Sequence, residues 1–166
     1  MLPPDIRVCE LKGVPDSFHS RYSALYREYT YLIHNSERAS PFLYRYSWWV
    51  GTPLDIGLMR LASQQFVGYK DFSFVANEPA EKDCRRVVYF LRVSRKRGFV
   101  VVHIRANAFL RGMVRNIVGL LVAFGTKRLK MDMSGNIIDR QAEIKAYKAP
   151  PEGLFLSRVV YPEGGL

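Results

Sequence analysis

Two arginines four residues apart, Arg111 and Arg115, stand with Asn116 in the stretch NAFLRGMVRNIVGLLVAFG, residues 107–125. A guanidinium is a rigid fork of donors suited to gripping a carboxylate or a phosphate. The rival reading is that both arginines lay their alkyl stems on a core and leave their charges in solvent, as most arginines at an apolar margin do. Gly112 and Gly119 fall in the same stretch. Glycine inside a helix costs about 1 kcal/mol against alanine, so these two signal something packed close to the backbone. His19, His34 and His103 are scattered, with no serine or cysteine constellation around them, and read as structural or partner-facing rather than catalytic. Cys9 and Cys84 are far apart and have no partners at ligand spacing, so neither a zinc site nor a disulfide framework is expected.

The bulk numbers narrow the partner. The chain has 166 residues, is 48% hydrophobic and carries 25 Lys and Arg against 15 Asp and Glu, a net charge of +10. That length fits a single domain with its own core, and the charge favours a polyanion, nucleic acid first. Charge alone does not separate RNA from DNA or an anionic membrane. The N-terminal MLPPDIRVCE lacks the apolar run of a signal peptide. The longest apolar run, IVGLLVAFG, is far short of the roughly 20 residues that cross a bilayer. A reducing cytoplasm is the expected compartment.

These side chains need elements to hold them. YREYTYLIH (26–34) reads as a half-exposed strand with Arg27, Tyr29, Tyr31 and Ile33 on one face and Tyr26, Glu28, Thr30 and Leu32 on the other. Thr52, Pro53 and Asp55 suit a helix start, and that helix should run to about Phe66. RRVVYFLRV and FVVVHIRA, joined by SRKRG, predict a hairpin whose second strand has Val100, Val102, Ile104 and Ala106 on its apolar face. Residues 107–125 then form a long helix packing Leu110, Met113, Val114, Ile117, Val118, Leu121 and Phe124 on the sheet, with Arg111 and Arg115 together at the edge of that arc. NEPAEKD (77–83) is the most loop-like interior stretch, a further helix is expected from about Ile137, and a last strand from Leu154. The order is a ferredoxin-like βαββαβ: an α+β domain whose antiparallel sheet is covered by helices on one face and open on the other to a ligand, for which the basic charge and outward aromatics suggest RNA.

LPPDIRV (2–8), FHSRYSALYREYTYLI (18–33), DFSF (71–74), VVVHIRANAFLRGMVRNIVGLLVAFG (100–125) and APPEGLFL (149–156) together resemble the tRNA pseudouridine synthases of the A type, over almost the whole chain. The match is to the C-terminal half of such enzymes. Their catalytic aspartate lies in an N-terminal half, in a G-R-T-D-A-G string that none of Asp5, Asp16, Asp55, Asp71, Asp83, Asp132 or Asp139 occupies here. The resemblance implies an intact enzyme that isomerises uridine to pseudouridine in the tRNA anticodon stem-loop, without metal or organic cofactor. It implies that Tyr29 stacks on the flipped base and assists the C5 proton, that Arg115 pairs with the aspartate, and that Leu154 lines the pocket. Arg21, Arg27, Arg111 and Asn116 would contact RNA or shape the cleft, and DFSF would be a fold element. The implied partners are tRNA and the N-terminal half, and this chain alone is expected to be inactive. Trp48 and Trp49 fit a partner face, a homodimer interface or the core equally well. The alternative is a stand-alone RNA-binding module, because KRGFVVVHI loosely resembles the sheet motif of RNA-recognition domains; Val101 and Ile104, however, stand where that motif wants aromatic rings.

Overall fold

The β-branched and aromatic runs become strands of one sheet in the computed structural model, which describes residues 2–77, 83–130 and 147–162. The helix expected from Ile137 lies outside them. Residues 2–25 run without helix or strand until the chain enters β1 (Tyr26–Asn35). There follow β2 (Trp48–Val50), α1 (Ile56–Ser63), β3 (Gly68–Asp71), β4 (Arg85–Lys96), β5 (Phe99–Ala106), α2 (Met113–Gly125) and β6 (Leu154–Val160). The sheet order is β2-β1-β5-β4-β3, with β6 also on β1. Because β5 takes one edge of β1 from Arg27 to His34, the other edge is divided: β6 pairs antiparallel with Tyr26–Tyr31 and β2 pairs parallel with Ile33–Asn35. This is an α+β, mostly antiparallel, ferredoxin-like arrangement with two helices on one face.

The face assignment on β5 holds: Val100, Val102, Ile104 and Ala106 are at most 1% exposed, against Tyr31, Ile33, Leu91 and the helices. Every residue of α2 except Arg115 is buried, because the helix is enclosed by the sheet, by α1 and by the segment around Tyr147. An all-round apolar helix needs such enclosure. The hairpin turn is tighter than SRKRG suggests. Ser94, Arg95 and Lys96 stay in the ladder opposite Val101, Val100 and Phe99. Only Arg97 and Gly98 turn, both at positive φ (47° and 81°), the geometry that matches strand twist.

Two expectations need correction. The first helix does not start at Thr52. The Asn35 amide donates to the carbonyls of Val50 and Thr52, both at 2.8 Å, and its oxygen accepts from the Leu54 amide at 3.2 Å, which holds 50–54 extended. Asp55 is the cap instead, with Oδ1 accepting from the Leu58 amide at 3.1 Å. The second helix starts at Met113, not near Asn107. Asn107 spends its amide and its side-chain oxygen on Val87, at 3.1 and 2.9 Å, and Gly112 sits in the left-handed region at φ 80°, which a continuing helix cannot pass through. Arg111 therefore lies in a turn ahead of the helix rather than one turn below Arg115 along it. β2 and β3 carry no signal in the sequence, since three and four residues are too short to show a period.

DFSF acts as a fold element: Asp71 Oδ1 accepts from the Ser73 amide at 2.8 Å and starts a 3-10 turn, while Phe72 is fully buried. That hydrogen bonding holds the Asp71 carboxyl below the usual range. Trp48 packs edge-on to Tyr31 at the core margin, 6.4 Å between ring centres. Trp49 is 46% exposed and donates to the Ser36 carbonyl at 3.0 Å.

Candidate functional site

Tyr29 stands in the middle of β1, between Ile104 of β5 and Leu156 of β6, next to a slip in the β1/β6 register at Glu28/Tyr29. Bulges of this kind re-aim side chains beside functional sites. Its ring meets Phe109 edge-on, 5.1 Å between centres at 89°. Arg115 comes from the first turn of α2. Its Nε donates to the Ala149 carbonyl at 2.7 Å, and the Ala149 amide donates back to the Arg115 carbonyl at 3.1 Å. One residue on from Ala149, the Pro150 carbonyl accepts from the Tyr31 hydroxyl at 2.6 Å. Burial pushes the Tyr31 phenol far up, so it remains a donor at any working pH. Gly153 is needed because a Cβ there would meet the Leu32 carbonyl at 2.6 Å and the Tyr31 ring at 2.7 Å. APPEG is thus clamped between Arg115 and Tyr31, and the clamp delivers Leu154 at the first position of β6.

The result is a cavity of about 590 Å³ lined by Arg21, Tyr29, Arg111, Arg115, Leu154 and, unanticipated, Asn77. Five of the sequence-derived candidates therefore meet in one place. Among the described residues, no carboxylate pairs with the Arg115 guanidinium, whose Nε alone is hydrogen-bonded. Arg27 and Asn116 are placed differently. Arg27 lines an adjoining cavity of about 470 Å³ that shares Arg21, Tyr29 and Phe109. Its fork is spent on the backbone, Nη1 to the Asn107 carbonyl at 2.8 Å and Nη2 to the Arg21 carbonyl. Asn116 is buried, and its amide donates to the Val75 carbonyl at 2.8 Å and to Asn77 Oδ1 at 3.3 Å. Asn77, at the start of the loop-like stretch, carried no sequence signal. Neither did Phe109, Lys148 or Arg86, which also line the two cavities.

The helix-free face carries a second constellation. Glu28 is 6% exposed there, with Arg105 Nε at 2.8 Å from Oε1 and His103 Nε2 at 3.0 Å from Oε2. The Arg105 guanidinium lies 4.5 Å from the Tyr26 ring centre and 4.9 Å from that of Phe90, against which Arg92 also sits at 4.9 Å. Burial pushes the Glu28 carboxyl up, but the hydrogen bonds and charges of Arg105 and His103 outweigh it and hold it below its ordinary 4.5. A depressed carboxylate contributes stability that is present above the unfolded value and lost as pH falls through the folded one. Glu28→Gln should therefore melt below the wild type at neutral pH, and the difference should shrink as pH falls below about 4.5; a gap that stays constant down to strong acid would rule out the ion pair as its source.

Among the described residues, no three His, Cys, Asp or Glu side chains group as a metal site, and no helix is long and apolar enough to cross a membrane. A tRNA pseudouridine synthase family model matches residues 62–162, which include α2, Arg115, the APPEG segment and Leu154. The chain is 38% identical over 163 residues to tRNA pseudouridine synthase A of Wigglesworthia glossinidia brevipalpis, covering 97% of this chain and 62% of that protein. It is 39% identical over 163 residues to tRNA pseudouridine synthase A of Thermoanaerobacter sp. (strain X514), covering 97% and 67%, and 40% identical over 164 residues to that of Hydrogenovibrio crunogenus, covering 98% and 63%. It thus spans slightly under two thirds of the length of most of these relatives. With a family match over most of its length, and relatives aligned from one end of it to the other, this chain belongs to the tRNA pseudouridine synthase family.

Proposed function

We propose that the chain forms one wall of the base-binding cleft of a tRNA pseudouridine synthase, acting on uridine in the tRNA anticodon stem-loop. The observation that supports this reading best is the convergence of Tyr29, Arg115 and Leu154 on one cavity, whose volume suits a nucleoside. A paired base is out of reach of chemistry at its ring atoms, so the uridine is flipped out at a cost of a few kcal/mol. Tyr29 stacks on the flipped ring and Leu154 bounds it. In the isomerisation the N1–C1′ bond breaks, a C5–C1′ bond forms, the C5 proton leaves and N1 regains one, with the Tyr29 hydroxyl assisting at C5. Arg115, anchored through Nε, offers its Nη nitrogens to the catalytic aspartate, which such enzymes carry in their N-terminal half and which no G-R-T-D-A-G string supplies in this chain. The chain by itself is inactive, and its partners are tRNA and that N-terminal half.

Tritium release from tRNA carrying [5-³H]uridine tests the reading. Residues 1–166 alone should give no turnover, and an N-terminal half supplied in trans should restore some; robust turnover by the chain alone would overturn it. The affinity for tRNA should fall steeply with salt, since each neutralised phosphate releases counterions.

A second reading, an RNA-binding module without catalysis, is favoured by the Tyr26–Arg105–Phe90 stack on the open face. KRGFVVVHI lends it little, because Ile104 is buried toward the helices and Phe99 packs on His34 at the end of the hairpin. Phe90→Ala removing most RNA affinity, with Tyr29→Ala and Arg115→Ala leaving it intact, would put this reading ahead.

A further inference from the structure

Asn77 lies where the cavity wall meets a buried polar relay. The Val75 carbonyl can only accept, so the Asn116 group 2.8 Å from it must be the amide nitrogen. The same nitrogen reaches Asn77 at 3.3 Å, and the Asn77 atom facing it must therefore be the carboxamide oxygen. That fixes the other half of the Asn77 carboxamide. Its Nδ2, with two N–H donors, is turned away from Asn116 and donates to no group among the described residues. The backbone is held just as firmly, since the Asn77 amide donates to the Arg111 carbonyl at 2.9 Å. The carboxamide lies flat against Gly112, where an added Cβ would fall 2.7 Å from Nδ2 and closer still to Oδ1. Gly112 at φ 80° leaves room for this contact, and both residues line the cavity shared with Tyr29, Arg115 and Leu154.

A pre-oriented donor pair on the wall of a cavity that Tyr29 also lines suits a planar ring that carries carbonyl oxygens. Resting on the proposed role of the cleft, we infer that Asn77 is a specificity-determining residue: its Nδ2 donates to one of the two carbonyl oxygens of the flipped uracil, and Asn116 is a positioning residue that sets its orientation. Uracil offers acceptors at O2 and O4, whereas a ring with an exocyclic amine at C4 presents donors there. The buried Asn116, expected to contact RNA or shape the cleft, then works one residue removed from the base.

The test uses the complete enzyme that contains this chain, assayed on tRNA with uridine, 2-thiouridine or 4-thiouridine at the target position; sulfur is the poorer acceptor. Asn77→Ala should slow turnover of uridine about 10-fold, the loss of one hydrogen bond to substrate. The wild type should discriminate against one of the two thio substrates, and Asn77→Ala should turn that substrate and uridine over at equal rates. Asn77→Asp keeps an oxygen toward Asn116 but presents an acceptor to the base, and should be slower than Asn77→Ala. Asn77→Asp, which keeps the acceptor for Asn116, should melt with the wild type, and Asn77→Ala should melt only a few degrees lower, so that both are compared as folded enzymes. A uniform loss on all three substrates, or unchanged discrimination in Asn77→Ala while Arg115→Ala is inactive, would overturn the inference alone. Full activity of Arg115→Ala, or a wild type that does not isomerise uridine, would overturn the cleft assignment and this inference with it.

Discussion

Arg115→Ala in the complete enzyme is expected to lower tritium release by about 10²- to 10³-fold, the scale on which truncating one partner of a desolvated charge pair is felt. The effect has two sources. Loss of the Nη nitrogens deprives the proposed aspartate of its partner, which lowers kcat more than it raises KM, since the pair matters at the reacting centre and not in RNA docking. Loss of Nε frees the Ala149 carbonyl and loosens the clamp that places Leu154. Arg115→Lys separates the two: a single ammonium cannot bond Ala149 and also present a planar fork, so it should recover no more than about 10-fold of the loss. The stability cost should be modest, about 1 kcal/mol for the one hydrogen bond and a few degrees of melting temperature. Near-normal turnover by Arg115→Ala would remove the reason for calling this cavity a catalytic cleft.

Gly119→Ala should be the most damaging single methyl added to α2. A Cβ at that position would overlap the Tyr147 carbonyl oxygen and come within 3.1 Å of the Ala149 amide nitrogen. The obstacle is backbone, not the far end of a mobile side chain, so either the helix shifts or the 147–149 segment does. Overpacking of this kind costs about 1–3 kcal/mol, and a backbone obstacle sits at the upper end. Against it stands the gain of about 1 kcal/mol that alanine brings to an ordinary helix interior. The melting temperature should fall by about 4–8 °C, and activity restored in trans should fall with it, because the displaced segment is the one clamped by Arg115 and Tyr31. Gly13→Ala is the control: no atom lies within 4 Å of its added Cβ, and its melting curve should match the wild type. A rise in melting temperature for Gly119→Ala would show that the close approach does not exist.

The contrast between the two glycines of this helical stretch marks where reading from sequence stops. Both suggested a close neighbour, and both have one, but Gly119 meets backbone inside the helix while Gly112 closes the turn ahead of it and starts the helix. Periodicity continues the helix back to Asn107 because Leu110 and Met113 are both buried. What halts it is a set of hydrogen bonds to Val87 and Asn77, residues 20 and more positions away that no local pattern contains. Asn35 delays the first helix by the same kind of long-range bond.

Local physics was enough for the central elements and their faces. Alternation placed Tyr29, Tyr31 and Ile33 together on β1 and the buried valines on β5, because a strand has only two sides and burial selects one. Composition pointed to a polyanionic partner, and the motifs pointed to the family. Tertiary structure decided which candidates share a space: Tyr29, Arg115, Leu154, Arg21 and Arg111 do, while Arg27 is tied to backbone carbonyls and Asn116 is sealed behind Asn77. Those outcomes depend on where four separate segments, at 21–29, 77, 107–116 and 147–154, meet. Such crossings are set by hydrogen bonds and packing between residues distant in the chain, for which spacing along a single segment carries no signal.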